Sequence, residues 1–168
     1  MPPIRPAAPA DAAAIAAIYA HHVRHGTATF DTEAPSTDFW TDKIAMLAAR
    51  DWPFLVAEAD NEVAGYAYAT QFRDRAAYVR TCENSIYVHT GMIGRGIGTV
   101  LIEALLEEAV KSGFREMIAV IGGGEPASVA LHIKAGFRHA GRMERVGEKF
   151  GRLLDTVYMQ RTLTLTSS

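Results

Sequence analysis

One segment, Gly91-Met92-Ile93-Gly94-Arg95-Gly96-Ile97-Gly98, constrains the fold of this chain more than any other. It joins a strand-like run, Ser85-Ile86-Tyr87-Val88, to a helix-like run from Thr99 to Lys111. A strand that passes through glycines into a helix in mid-chain calls for an α/β arrangement. Glycine lets the backbone turn tightly and leaves its amides unshielded. Those amides project from a helix N-terminus, where the helix dipole favours anions. Arg95 adds a mobile positive charge. Such a device holds a phosphate or pyrophosphate, and hence a nucleotide-like cofactor.

The spacing narrows the choice. A P-loop ends in Gly-Lys-Ser or Gly-Lys-Thr, whereas this segment ends in Gly98-Thr99-Val100. A dinucleotide fingerprint has the spacing G-x-G-x-x-G near the start of a βαβ unit, with an acidic residue about 20 positions later. Here the spacing is G-x-G-x-G, and it lies deep in the chain. Neither of these nucleotide folds fits.

The segment instead resembles the acyl-CoA loop of the GNAT superfamily of N-acetyltransferases, [Arg/Gln]-x-x-Gly-x-[Gly/Ala]. Gly96 and Gly98 match the two small positions, and Ile93 stands where the family usually has Arg or Gln. Ser128, Leu131-His132 and Gly136-Phe137 follow at the spacing of the family's second CoA element. More narrowly, His21-His22-Val23, Gly26-Thr27-Ala28-Thr29-Phe30, Arg73, Arg75, Glu83, Lys149-Phe150-Gly151-Arg152 and Asp155 resemble phosphinothricin and methionine sulfoximine N-acetyltransferases. The resemblance runs from about Ile4 to Leu163. It implies a single domain with a central twisted, mixed and mostly antiparallel sheet. Helices flank both faces, and two central strands splay apart to admit the thioester. It also implies acetyl-CoA as co-substrate and a homodimer.

Composition agrees with one soluble globular domain. The chain has 168 residues, 49% apolar and 21% charged, and a net charge of −2. That length supports a sizeable core, and the balance argues against nucleic acid, whose binders carry a basic face. No apolar run approaches the ~20 residues that span a bilayer. The first residues, Met1-Pro2-Pro3-Ile4-Arg5, lack a signal-peptide pattern. Cys82 is the only cysteine, so no intrachain disulfide can form and a reducing cytoplasm is expected.

Along the chain, Ile4-Arg5 opens a strand, and Asp11 is placed to cap a helix from Ala12 to Arg24. Ser36 or Thr37 would cap a second helix, Asp38 to Arg50. Pro53–Ala59, Asp60-Asn61 and Val63–Thr70 read as a hairpin. A long strand is predicted over Tyr78–Val88, a buried strand over Glu116–Ile121, and a helix over Pro126–Ala135 closed by Gly136. Arg138–Arg145 and Leu153–Leu163 would pair as a final hairpin. Thr164 to Ser168 reads as a flexible tail.

Acetyl transfer to an amine requires removal of a proton, stabilisation of the thioester oxyanion and departure of the thiolate. An α-amino group has a pKa near 7.7–8.0, so a modest base suffices. Glu83 is the candidate base. A glutamate inside Thr81-Cys82-Glu83-Asn84-Ser85-Ile86 must be solvated, paired or protonated, so a solvent-face or ion-paired role is the alternative. Strand alternation places Cys82 on the opposite face, and a lone strand cysteine is usually a small buried hydrophobe rather than an acyl carrier. The resemblance implies that the backbone of Tyr87, Val88 and His89 pairs with pantetheine, with the Val88 amide as oxyanion donor. It also places Arg95, Gly96, Ile97, Gly98, Thr99, Val100 and Ser128 on the cofactor. Glu125 stands where the family usually has an asparagine on the CoA arm, and an anion is a poor neighbour for phosphates. His132 stands where many family members have a tyrosine that protonates the thiolate; a packed helix histidine is the alternative.

The resemblance implies that Phe30, Arg73, Arg75, Glu83, Asn84 and Ser85 line the acceptor pocket, with the two arginines as a fork for an anion; solvated loop arginines are the alternative. His21 and His25 lie four apart on a helix, but no cysteine or carboxylate pair completes a metal site. The expectation is an N-acetyltransferase acting on a small α-amino acid, without metal, nucleic-acid or membrane partners. Its rivals are acetylation of a polyamine, antibiotic or protein N-terminus, and a non-catalytic CoA-binding module.

Overall fold

The computed structural model describes residues 1–164, so the tail expected after Thr164 lies outside the described residues. Seven strands form one sheet in the order β1-β2-β3-β4-β5-β7-β6. The strands are β1 (Ile4–Pro6), β2 (Phe54–Ala59), β3 (Glu62–Gln71), β4 (Thr81–Val88), β5 (Glu116–Gly122), β6 (Arg138–Lys149) and β7 (Arg152–Thr162). Only β4 and β5 run parallel; the other neighbours are antiparallel. Helices α1 (Ala12–His25) and α2 (Thr37–Ala49) cover one face. Helix α3 (Ile97–Lys111) and helix α4 (Pro126–Lys134) cover the other.

Each face has its own core, and strand alternation divides the side chains between them. Tyr66 and Tyr68 of β3 pack with Ile15, Tyr19, Trp40 and Leu47 of α1 and α2. Ala67 and Ala69 of the same strand, with Cys82 and Met117, pack under Leu101, Ile102 and Leu105 of α3. Small residues on the α3 side let the helix lie close. A Cβ on Gly65 would sit 3.1 Å from Leu101 and 3.2 Å from Ile97. The Asp60-Asn61 turn between β2 and β3 has positive φ at both residues, 54° and 61°, the pair a type I′ hairpin turn requires.

Two strand boundaries and one helix cap depart from the sequence reading, and one of two expected caps is selected. β4 begins at Thr81, because Ala76–Tyr78 coil into a 3₁₀ turn before the ladder with β3 starts. β6 runs on to Lys149, past Arg145, through two register shifts. At the second, Arg145 has φ 56° and donates its N–H to Asp155 at 2.9 Å. Asp11 makes no side-chain cap on α1. Its carboxylate instead accepts from Nη1 and Nη2 of Arg5, each at 2.8 Å, and from the Ala8 amide at 2.7 Å. Ser36, rather than Thr37, caps α2 through the Phe39 amide.

Among the described residues no helix is long and apolar enough to cross a membrane. No group of three or more His, Cys, Asp and Glu side chains among them could hold a metal ion.

Candidate active site

β4 and β5 stay paired for three rungs only, Thr81↔Glu116, Cys82↔Met117 and Glu83↔Ile118. Beyond them β4 follows β3 and β5 follows β7, so the sheet opens at its centre. The Gly65↔Val88 rung is flanked by a His89 N–H to Ala64 carbonyl bond of 2.8 Å. Val88 therefore belongs to a non-hydrogen-bonded pair, and its own N–H and C=O turn away from β3 into the gap. By the same alternation, so do those of Ile86.

A cleft of about 290 Å³ fills this gap, lined among others by Glu83, Asn84, Ser85, Ile86 and Tyr87 from β4 and by Ala119–Gly122 from β5. Ser128 and His132 of α4, Phe30 and Tyr68 complete the wall. The Thr27–Phe30 loop sits against β5 so closely that a Cβ on Gly122 would lie 2.9 Å from the Ala28 carbonyl and 3.0 Å from the Phe30 ring. A Cβ on Gly147 of β6 would clash with the same ring. Lys149 donates to the Thr29 carbonyl at 2.9 Å, so the end of β6 fixes the loop that presents Phe30.

Glu83 is half-buried on the α1/α2 side of β4. Burial raises its pKa, and the nearby charges of Arg73 and then Lys43 pull it back down. Cys82 points the opposite way and is 0% exposed. Burial pushes its thiol up to about 12, which removes the thiolate an acyl-cysteine route needs.

Arg73 and Arg75 are exposed and do not line the cleft of the single chain. The Gln71 side-chain amide holds their segment by donating to the Arg73 carbonyl at 2.6 Å and the Arg75 carbonyl at 3.0 Å. Of the two, only Arg73 acts electrostatically on Glu83.

His132 is 3% exposed. Its Nδ1 lies 2.7 Å from the Ser128 carbonyl, and a carbonyl can only accept, so Nδ1 carries the proton. Nε2 then accepts from the Asn84 amide at 3.2 Å. Burial lowers the histidine pKa, so the neutral ring has no proton to give from Nε2. Asn84 thus spends its side chain on His132 and Met117, on the face opposite Glu83. Ser85 shares the Glu83 face.

At the glycine loop, Gly94 and Gly96 have φ 84° and 79°, and a Cβ on either would meet nothing within 4 Å. Gly96 is the N-cap of α3. The first intrahelical bond is Val100 N–H to the Gly96 carbonyl, 3.2 Å. The amides of Ile97, Gly98 and Thr99 therefore project without a helical partner, an anion cradle suited to a pyrophosphate. Four residues expected on the cofactor make other contacts within the chain. The Val100 amide is spent inside the helix. Arg95 pairs with Asp60 at 2.9 Å. Glu125 caps α4 by accepting from the Ser128 amide at 2.8 Å. His89 caps its own turn by accepting from Gly91 N–H at 3.0 Å.

Two helix side chains that the sequence reading did not place at the site touch β3 or β4 beside it. His22 of α1 has its Nε2 3.0 Å from the Val88 carbonyl, with its ring 5.2 Å from that of Tyr87. Lys43 of α2 donates to the Tyr68 hydroxyl at 3.0 Å. Nothing in the local sequence distinguishes either from a solvated helix residue. His21 and His25 lie against each other, ring centroids 4.8 Å apart.

The sequence and fold have counterparts among known proteins. Residues 4–158 match the family described as the acetyltransferase (GNAT) domain. The chain is 45% identical to a phosphinothricin N-acetyltransferase of Alcaligenes faecalis over 154 residues, covering 91% of this chain and 78% of the relative. It is 38% identical to an L-methionine sulfoximine/L-methionine sulfone acetyltransferase of Pseudomonas paraeruginosa, covering 98% and 96% of the two chains. The crystal structure of a phosphinothricin acetyltransferase from Sinorhizobium meliloti in complex with AcCoA superposes with a TM-score of 0.94 at 41% identity, covering 96% of this chain and 88% of that one. On the extent of these matches and the shared fold, the chain belongs to the GNAT family of acetyltransferases.

Proposed function

We propose that this enzyme transfers the acetyl group of acetyl-CoA to the α-amino group of a small amino acid or analogue, in the class of phosphinothricin, methionine sulfoximine and methionine sulfone. The observation that carries the reading is the position of Glu83, a half-buried acid that pairs with no cation among the described residues and lines the cleft where β4 and β5 part. The free amides of Ile97, Gly98 and Thr99 fit the cofactor's pyrophosphate, and the cofactor supplies the acetyl thioester.

The acceptor amine gives a proton to Glu83, directly or through water, and its nitrogen attacks the thioester carbonyl carbon. The oxyanion that forms faces the Val88 N–H. The carbon–sulfur bond then breaks, sulfur leaves with the bonding electrons as the CoA thiolate, and the second proton on the new amide nitrogen passes to that thiolate. His132, with its proton held by the Ser128 carbonyl, orients Asn84 rather than supplying the proton to sulfur. The cations beside Glu83 oppose a polyamine acceptor, which calls for an acidic pocket.

The exposed apolar side chains Tyr78, Val79, Met143, Val146 and Leu153 support a homodimer, in which the loop carrying Arg73 and Arg75 meets the second copy. The buried lone thiol of Cys82 suits the reducing cytoplasm.

Thiol release from acetyl-CoA, followed with a panel of amines, tests the reading. Turnover is expected with L-methionine sulfone, L-methionine sulfoximine or phosphinothricin and not with spermidine. Turnover confined to polyamines or to peptide N-termini would overturn it.

A further inference from the structure

Two cations stand beside Glu83, and one of them comes from a helix rather than from the arginine loop. Lys43 is half-buried on α2. Its Nζ lies 3.0 Å from the Tyr68 hydroxyl and 4.4 Å from the centre of the Tyr68 ring. The rings of Phe39 and Trp40 hold the same ammonium at 5.5 and 5.6 Å. Tyr68 lines the cleft with Glu83. It pairs with Ser85, two residues along β4 from Glu83, so their side chains share a face and are diagonal neighbours. An aromatic cage thus holds Lys43 against Tyr68, itself a lining residue of the cleft.

Its charge is uncommitted. Among the described residues neither Lys43 nor Arg73 pairs with a carboxylate. Arg5, Arg95, Lys111, Arg142 and Arg145, by contrast, all have carboxylate partners. An aromatic cage weakens hydration of an ammonium without neutralising it, which leaves a strong partner for an anion. One acid flanked by two unpaired cations complements a zwitterion whose amine faces the acid and whose anionic group faces the cations.

We propose that Lys43, together with Arg73, binds the carboxylate of the acceptor amino acid, with Tyr68 holding the lysine in place. This assignment rests on the α-amino acid reading above. It replaces the fork of Arg73 and Arg75 expected from their spacing with one arginine and a lysine from α2.

The test compares L-methionine sulfone with its primary carboxamide, which keeps the amine and loses the negative charge. Wild-type enzyme should prefer the acid. Lys43→Met keeps the length and apolar packing of the stem. It should raise KM for the acid by about 10- to 100-fold, the range for a lost hydrogen bond to a charged group. KM for the amide and for acetyl-CoA should stay near wild type. Lys43→Arg keeps the charge and should restore most of the preference.

A role in packing alone would lower the melting temperature and affect acid and amide alike. If Lys43→Met retains the wild-type preference for the acid, the assignment falls and the amino-acid reading stands. If wild-type enzyme acetylates the amide as well as the acid, carboxylate recognition falls altogether. If it acetylates neither, the acceptor class falls and the assignment with it.

Discussion

At the scale of single residues, Glu83 is held between opposing influences. Burial raises its pKa, while Arg73 and Lys43 lower it less than burial raises it. A base works only when deprotonated. Because the folded value lies above the ordinary glutamate range, kcat/KM should fall as pH drops through that raised value, earlier than for a solvated carboxylate. Glu83→Gln keeps the shape and removes the proton acceptor. It should lower kcat by ~10²–10⁴-fold and abolish that acid limb, a result a pH–rate profile reads directly. Cys82→Ala removes a thiol that is buried on the other face, and kcat should stay within a few-fold of wild type. A folded but inactive Cys82→Ala would show that acetyl transfer passes through sulfur.

At the scale of elements, the start of α3 does its work with backbone. Gly96 has a left-handed φ of 79° and open space where a side chain would stand. A β-branched residue there is strained and would stand beside the approach to the three free amides. Gly96→Val should therefore raise KM for acetyl-CoA by at least 10-fold, an effect of the size expected when anion contacts to amides are lost. Gly98 differs: a Cβ there would make ordinary contact with Leu131 at 3.5 Å. Gly98→Ala should leave the melting temperature unchanged or raise it, since alanine favours a helix over glycine by ~1 kcal/mol. Calorimetric titration with acetyl-CoA and thermal melts of both variants check this pair. Unaltered acetyl-CoA binding by Gly96→Val would remove the cradle from the cofactor site.

At the scale of the whole molecule, the edge strand β1 is tied to the helical layer by charge. Arg5 meets Asp11 at 2.8 Å and Glu58 at 2.6 Å, joining β1 to β2 and to the turn that starts α1. The Arg5 hydrogen bonds are the main cause holding the Asp11 pKa below its ordinary value. A depressed carboxylate stabilises the fold fully above the unfolded value of about 3.9. That contribution disappears as pH falls through the lower folded value. Asp11→Asn should thus lower the urea midpoint at neutral pH and flatten its decline as pH falls below about 4. Parallel wild-type and variant curves across that window would show that the pair adds nothing to stability.

The sequence by itself determined the order and kind of most elements, because those follow from local signals. Glycine spacing marked the start of α3, two residues with αL tolerance marked the β2–β3 turn, and alternation put Cys82 and Glu83 on opposite faces. It also carried the family, since the glycine loop and the segments around it are contiguous. Tertiary structure alone decided which charges are free. Arg95 and Glu125 look available in the sequence, yet Asp60 and the Ser128 amide occupy them. His22 and Lys43 look like solvated helix residues, yet α1 and α2 deliver them to Val88 and Tyr68. The reason is that a side chain's partner is set by which elements the sheet brings within about 3 Å, and contacts between residues far apart in the chain leave no mark on local periodicity.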